Sequence, residues 1–402
     1  MWSSKLFFLI GLVTVAFFLR KRLQKIPPSE RFLRHANADN TKKHGGESNV
    51  SNKKKRLYPT LFDPDLKKRA LVNRRLVRMF GLDNAFTTED KEQYDRYMSL
   101  VRKKLGAFSD AYWVATSRHA SICSGYLIEK TQKSGALNLA SLVQCLTFRI
   151  MLSNFISDTL HPSDSQIELL ADRVNSLWMA SKDPEVTPEK EEASKRGLFV
   201  LLDDIFGEPV VEGKKNPLNL IIPAYESIWR VVFRCFLEVR FRSSLMQRQN
   251  FEESLARFLK APKSDTFGYG DQNSTPVAFL VNEALRMYPP TRRISRQTTS
   301  GIIKVDIESM HRDPKIWGTD ASCFRPSRWI QIPNEAKVSF IPFGAGKFEC
   351  PAKRTVGPMM IGLLVASLTT VLGDGFTLSE ELKEGPLPNE REALKDLKLL
   401  FH

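Results

Sequence analysis

At 402 residues the chain is too long for one small binding module and long enough to bury a substantial core, and 42% hydrophobic against 26% charged residues excludes global disorder. The formal charge of +15 first suggests nucleic acid, yet residues 1–80 carry 19 Lys and Arg against 5 Asp and Glu, leaving 41 against 40 elsewhere. The bulk is neutral and the excess lies beside an apolar terminus, which suits an anionic lipid surface and excludes a nucleic-acid face, where basic and aromatic residues interleave. Five cysteines (123, 145, 235, 323 and 350) share no C-x-x-C spacing, so they exclude a disulfide scaffold and fit a reducing compartment.

Residues 1–20 read as an N-terminal membrane anchor, because Leu6 to Leu19 runs without a charge or a proline; a cleavable signal peptide is the competing reading, though no small-x-small cleavage site follows. Arg20, Lys21, Arg22 and Lys25 follow, so the positive-inside rule places the rest of the chain on the cytosolic face, as a single-pass protein in contact with membrane lipid. Residues 21–80 read as a basic, proline-containing juxtamembrane linker, with 29–56 free of hydrophobic periodicity. Asn49 and Asn273 match the glycosylation pattern, and a cytosolic domain is expected to carry no sugar at either. Residues 81–402 read as one mainly α domain with a small β region. Tyr94, Tyr97, Met98, Val101 and Leu105 recur at helical spacing, as do Leu139, Leu142, Val143, Leu146 and Ile150. Breaks fall near 162, 184, 209–217 and 262, and a β-prone run appears at 302–307. There is no internal repeat, P-loop, G-x-G-x-x-G or H-E-x-x-H.

The chemistry concentrates in the last third, where residues 343–352 read FGAGKFECPA. Glycines permit positive φ and close backbone approach to a flat ligand, and a thiolate that ligates iron needs such a turn with N–H groups around the sulfur. Pro351 gives up one of those donors, and Met359 to Leu372 reads as a buried helix leaving the loop. With Phe343, Gly346 and Cys350 in this spacing, the loop resembles the haem-ligand loop of the cytochrome P450 superfamily. Three further motifs stand upstream in that family's order: Glu283-Ala284-Leu285-Arg286 is similar to its E-x-x-R, His311-Arg312-Asp313-Pro314 follows, and Phe324 to Trp329 is similar to its F-x-P-x-R-W. The resemblance implies a buried ion pair of Glu283 and Arg286 with Arg328. It is strong over 221–360 and thin over 20–200.

Pro223-Ala224-Tyr225-Glu226-Ser227 occupies the place of the family's oxygen-activating helix motif. Glu226 and Ser227 are the candidate catalytic proton carriers, and Pro223 either kinks that helix or starts it. Departures are Phe348, where many members have Arg or His, Ala352 in place of a glycine, no clear W-x-x-x-R, and a short stretch from Arg296 to Val305. Arg293 matches a family position for the haem propionates, and is the expected cofactor contact with Phe343, Gly346 and Cys350.

The resemblance therefore implies a cytochrome P450 fold, in a divergent, shortened member of fungal type, with a single haem domain behind the N-terminal anchor. The cofactor is iron protoporphyrin IX with Cys350 as the metal ligand. The implied activity is that of a haem-thiolate monooxygenase of secondary-metabolite biosynthesis in the endoplasmic reticulum membrane, oxidising a hydrophobic small molecule with electrons from NADPH-cytochrome P450 reductase. The alternatives are a P450-like enzyme that rearranges or dehydrates its substrate without oxygenation, and a degenerate, non-catalytic membrane protein.

Overall fold

The computed structural model describes residues 50, 52–132, 135–270 and 274–402. The anchor reading for 1–20, residues 29–49 of the basic stretch and both candidate glycosylation asparagines lie outside the described residues. Among the described residues no helix is long and apolar enough to cross a membrane.

The folded unit runs from Lys54 to His402, so the linker read for 21–80 gives way to packed structure well before residue 81. A 3-10 turn (Pro59–Phe62) and helix α1 (Leu66–Phe80) bury Leu61, Leu66, Ala70, Leu76, Met79 and Phe80. The density of lysine and arginine in this stretch hid the apolar stripe between them. Asp65 caps α1 by accepting from the Lys68 N–H, and Gly81 ends it in the left-handed conformation with its N–H on the Val77 carbonyl.

Helices α2 (Lys91–Gly106), α3 (Asp110–Gln132), α4 (Leu139–Phe155), α5 (Asp164–Ala180) and α6 (Pro188–Phe206) follow. Their boundaries fall where capping residues stand: Asp90, Asn138 and Thr187 accept from backbone N–H groups, and Ser163 with Gln166 forms a capping box. Then come α7 (Leu218–Leu237), continued by a π turn (Glu238–Arg242), α8 (Leu245–Lys260) and α9 (Val277–Met287). The last long helix, α10 (Val356–Leu372), is apolar all round and buried almost throughout, the pattern of a central helix. It packs on α3, α7 and α8, while α7 also packs on α4, and these contacts form one continuous core.

Two small antiparallel sheets complete the fold. Strand β1 (Ala136–Asn138) pairs with the C-terminal β5 (Lys398–Phe401), which also pairs with β4 (Phe376–Leu378), in the order β1-β5-β4. Strands β2 (Arg293–Thr298) and β3 (Gly301–Asp306) form a hairpin with Arg293 opposite Asp306 and Thr298 opposite Gly301. Only the second strand of that hairpin matches the β-prone run of the sequence.

Candidate functional site

Cys350 closes a tight loop between the short helix Asn334–Ser339 and α10. Its N–H donates to the Phe343 carbonyl at 2.9 Å, and the Gly344 N–H donates to the Ile341 carbonyl at 3.0 Å. Gly344 and Gly346 hold φ of 75° and 71°, where a side chain is strained. At Gly346 close approach adds to this, since a Cβ there would lie 2.9 Å from the Leu61 carbonyl oxygen. The Phe343 ring packs on the first turn of α10, 3.0 Å from where a Cβ on Gly357 would stand. Burial pushes the Cys350 thiol pKa up, and the Ala352 N–H, donating to the sulfur, pulls it down, so the donor lost at Pro351 is supplied one residue on. Ala352 has a negative φ within a 3-10 turn, so the missing glycine costs no backbone strain. Cys350 keeps an accessible surface although surrounding protein desolvates its sulfur.

Beside this loop lie two cations. The Phe348 ring has the Arg69 guanidinium 4.4 Å from its centroid and that of Arg296 at 5.5 Å. Arg69, buried on α1, donates to the Ala85 carbonyl at 2.8 Å and has no carboxylate in ion-pair contact among the described residues. Desolvation, with Arg296 adding to it, lowers its pKa to about 10. Arg296 donates to the Ser295 carbonyl, and its buried Nε has no partner. Among the described residues neither has a carboxylate in ion-pair contact, although Asp63 acts on Arg296 from farther off, and desolvated guanidiniums so placed favour an added anion. This is the environment that a carboxylate-bearing, flat cofactor above Cys350 requires, so the residues present fit haem.

Arg293 does not come to the loop. Strand side chains alternate, so Arg293 points away from the face that holds Ile294 and Arg296, and it pairs with Asp306 at 3.0 Å in a half-exposed position. Ile294, on the other face, reaches the loop, 3.8 Å from a Cβ on Gly344. Arg296 therefore stands where Arg293 was expected. Arg69 was missed altogether, because its helix lay inside the stretch read as linker.

Glu283, Arg286 and Arg328 do meet, and all three are buried. Glu283 Oε1 accepts from Arg286 Nη2 at 2.8 Å, Arg328 Nε at 2.8 Å and the Arg325 N–H at 2.9 Å. Its Oε2 accepts from Arg286 Nε at 3.0 Å and Trp329 Nε1 at 2.9 Å. Arg286 also donates to the carbonyls of His311 and Ala321, both at 2.7 Å. The Ile341 N–H donates to His311 Nε2 at 3.1 Å, leaving the Nδ1–H for the Arg286 carbonyl at 3.2 Å. Burial lowers the His311 pKa to about 3, so the ring is neutral. This chain of bonds ties the ion-pair cluster to the start of the cysteine loop.

Pro223 lies inside α7, five residues past its start, and so does not begin the helix. Lacking an N–H, it leaves the Asn219 carbonyl without its helical donor. Tyr97 Oη fills that place at 2.7 Å, with Asn84 Nδ2 at 3.2 Å. Ser227 Oγ donates back to the Pro223 carbonyl at 3.3 Å. Glu226 is buried and ion-paired with Arg391, from the segment between β4 and β5, though neither carboxylate oxygen meets an aligned hydrogen-bond donor. Arg391 carries no local motif, and only the folded chain brings it to α7.

The chain was compared with known proteins. The family model "Cytochrome P450" matches residues 275–369. Curated relatives include echinocystic acid 23-monooxygenase of Saponaria officinalis, 27% identical over 47% of this chain and 42% of its own length. Cytochrome P450 714A2 of Arabidopsis thaliana is 32% identical over 30% of this chain and 26% of its own length. The chain spans less than half the length of the curated relatives it matches. Among solved structures, retinoic acid bound cyanobacterial CYP120A1 superposes with a TM-score of 0.58 at 16% identity, over 85% of this chain and 86% of the other. A 6-coordinated cytochrome P450 from Thermus thermophilus gives 0.57 at 15% identity, over 85% and 89%. Residues 275–369, which carry the ordered motifs, are thus similar to the cytochrome P450 family, and the chain shares its fold with solved cytochrome P450 structures.

Proposed function

We propose that this chain is a haem-thiolate monooxygenase acting on a hydrophobic small molecule, with electrons from a separate NADPH-cytochrome P450 reductase. The observation that carries this reading is the Cys350 loop, with the Ala352 N–H on its sulfur and with Arg69 and Arg296 beside it, neither in ion-pair contact with a carboxylate among the described residues. Cys350 would hold the iron, Phe343 would pack beside the loop, and Arg69 and Arg296 would take the propionates. Bound haem supplies the one-electron chemistry that activates dioxygen, favoured by thiolate ligation. The protein's own part begins with the Ala352 N–H, which stabilises negative charge on sulfur. The cluster of Glu283, Arg286 and Arg328 holds the loop in register through His311. Glu226, ion-paired with Arg391, would hold and release a proton at its carboxyl group, and Ser227 would pass it on once its hydroxyl leaves the Pro223 carbonyl.

Membrane anchoring through residues 1–20, placement in the endoplasmic reticulum and a role in secondary metabolism belong to the same proposal. The first is supported by the apolar stretch Leu6 to Leu19, and the last by a relative named for echinocystic acid. A second reading, rearrangement or dehydration without oxygenation, is favoured by one observation: the Ser227 hydroxyl is spent on its own helix. Reconstitution with the reductase in lipid vesicles under isotopically heavy dioxygen separates the two. The monooxygenase reading expects an NADPH-dependent product carrying one heavy oxygen atom; an unlabelled product formed without NADPH would establish the second reading.

A further inference from the structure

The indole of Trp178, on α5, has three cations around it: Arg75 Cζ at 4.6 Å from a ring centroid, Arg391 Cζ at 4.8 Å and Lys182 Nζ at 5.7 Å. They come from α1, from the segment between β4 and β5, and from the turn after α5. Arg75 donates to Ser181 Oγ at 2.6 Å and Arg391 to Asn175 Oδ1 at 2.7 Å, both neutral partners. Among the described residues the one carboxylate in ion-pair contact with any of the three is Glu226, on Arg391. Arg230, one turn after Glu226 on α7, adds a fourth cation; it donates to the carbonyls of Pro290 and Asn389, and its buried Nε has no partner.

Four cations thus gather in a partly buried region, with Glu226 paired to Arg391 and Glu308 acting on Arg230 from farther off. Burial together with Arg75, Arg391 and Arg230 lowers the Lys182 pKa to about 8, although its side chain keeps an accessible surface. Like charges held together in partly desolvated surroundings favour an added counter-charge. Neutral hydrophobic ligands would leave that surplus unmet. Arg75 lies six residues beyond Arg69 on α1, about 9 Å along the helix axis. Arg69 stacks on Phe348, two residues before Cys350. The same helix thus carries one cation of this cluster and one cation beside the cysteine loop.

We propose that Arg75, Lys182 and Arg391 around Trp178 bind the carboxylate of the substrate, so that the substrate class is a hydrophobic organic acid. This rests on the monooxygenase reading above and narrows it. Arg75 and Lys182 take the carboxylate, and Arg391 remains shared with Glu226.

Trp178 makes the test independent of turnover. Tryptophan fluorescence of the full-length, haem-loaded protein is titrated with dodecanoate and with methyl dodecanoate, with Trp178→Phe identifying the signal. Dodecanoate is expected to change the Trp178 emission and to bind about tenfold or more tighter than its ester. Lys182→Met and Arg75→Gln should each weaken dodecanoate about tenfold and leave the ester unchanged, and added salt should weaken only the acid. Equal affinities for acid and ester, or variants that keep the preference, overturn the proposal. The two readings fail separately: a thiolate-ligated haem spectrum without acid preference removes the acid site and leaves the enzyme. Acid preference in a protein that takes up no haem supports the acid site while removing the enzyme.

Discussion

Replacing Glu283 by Gln tests the claim that the buried cluster holds the cysteine loop. Five donors converge on this carboxylate, three on Oε1 and two on Oε2. The amide does least harm with its NH2 at the Oε2 position, facing the N–H groups of Arg286 and Trp329. Each donor orphaned in this way costs about 1–3 kcal/mol. Arg286 also loses its one carboxylate, while Arg328 keeps Asp320 at 3.2 Å. Breaking a buried pair from one side costs about 3–5 kcal/mol, so we expect a loss of about 4 kcal/mol. That is a large part of a total stability of about 5–15 kcal/mol. Urea unfolding followed by circular dichroism should show the midpoint falling by about 1–2 M, at a slope of about 3 kcal/mol per molar that does not change. Lys68→Ala, which removes an ion pair with Asp63 at the surface, should leave the midpoint close to that of the parent. A Glu283→Gln protein within about 1 kcal/mol of the parent would refute the reasoning.

Three further outcomes are expected. The His311 ring, with its pKa lowered to about 3, stays neutral in the fold while the unfolded chain takes up a proton below about pH 6.5. Its contribution is complete above that value and is lost as pH falls toward 3, at about 1.4 kcal/mol per pH unit. His311→Gln should flatten this slope in denaturant titrations run across that window, and an unchanged slope contradicts the assignment. Tyr97→Phe should cost about 1 kcal/mol in the parent and close to nothing beside Pro223→Ala, which returns an N–H to the Asn219 carbonyl; equal costs in the double-mutant cycle would show that the tyrosine does not replace the missing donor. Arg296→Ala should lower the haem content of the purified protein and Arg293→Ala should not, whereas the reverse result would return the propionate role to Arg293.

Local chemistry was the legible part. The cysteine loop and the glutamate of E-x-x-R can be read because glycines, proline and charges at fixed offsets state their geometry within a few residues. The long helices could be read from apolar spacing, with ends at Asp90, Asn138 and Ser163 where caps stand. What escaped depends on contacts between distant segments. Arg69 looked like one more linker cation, and its burial against Phe348 follows only from α1 packing beside the loop. Arg391 meets Glu226 across more than 160 residues. The exchange of Arg293 for Arg296 was accessible in principle: once 293–298 is a strand, period-two alternation puts Ile294 and Arg296 on one face. A charge count over a whole window concealed α1, whereas the spacing of Leu66, Ala70, Leu76 and Phe80 reveals it.

The central claim is that Cys350 ligates haem iron as a thiolate. Its most direct test is the absorption spectrum of the full-length protein in lipid, reduced and exposed to carbon monoxide. The account predicts the strongly red-shifted Soret band of a carbonyl bound opposite a thiolate, and its loss in Cys350→Ser. A Soret band without that shift, or no haem band in a folded protein, would contradict it.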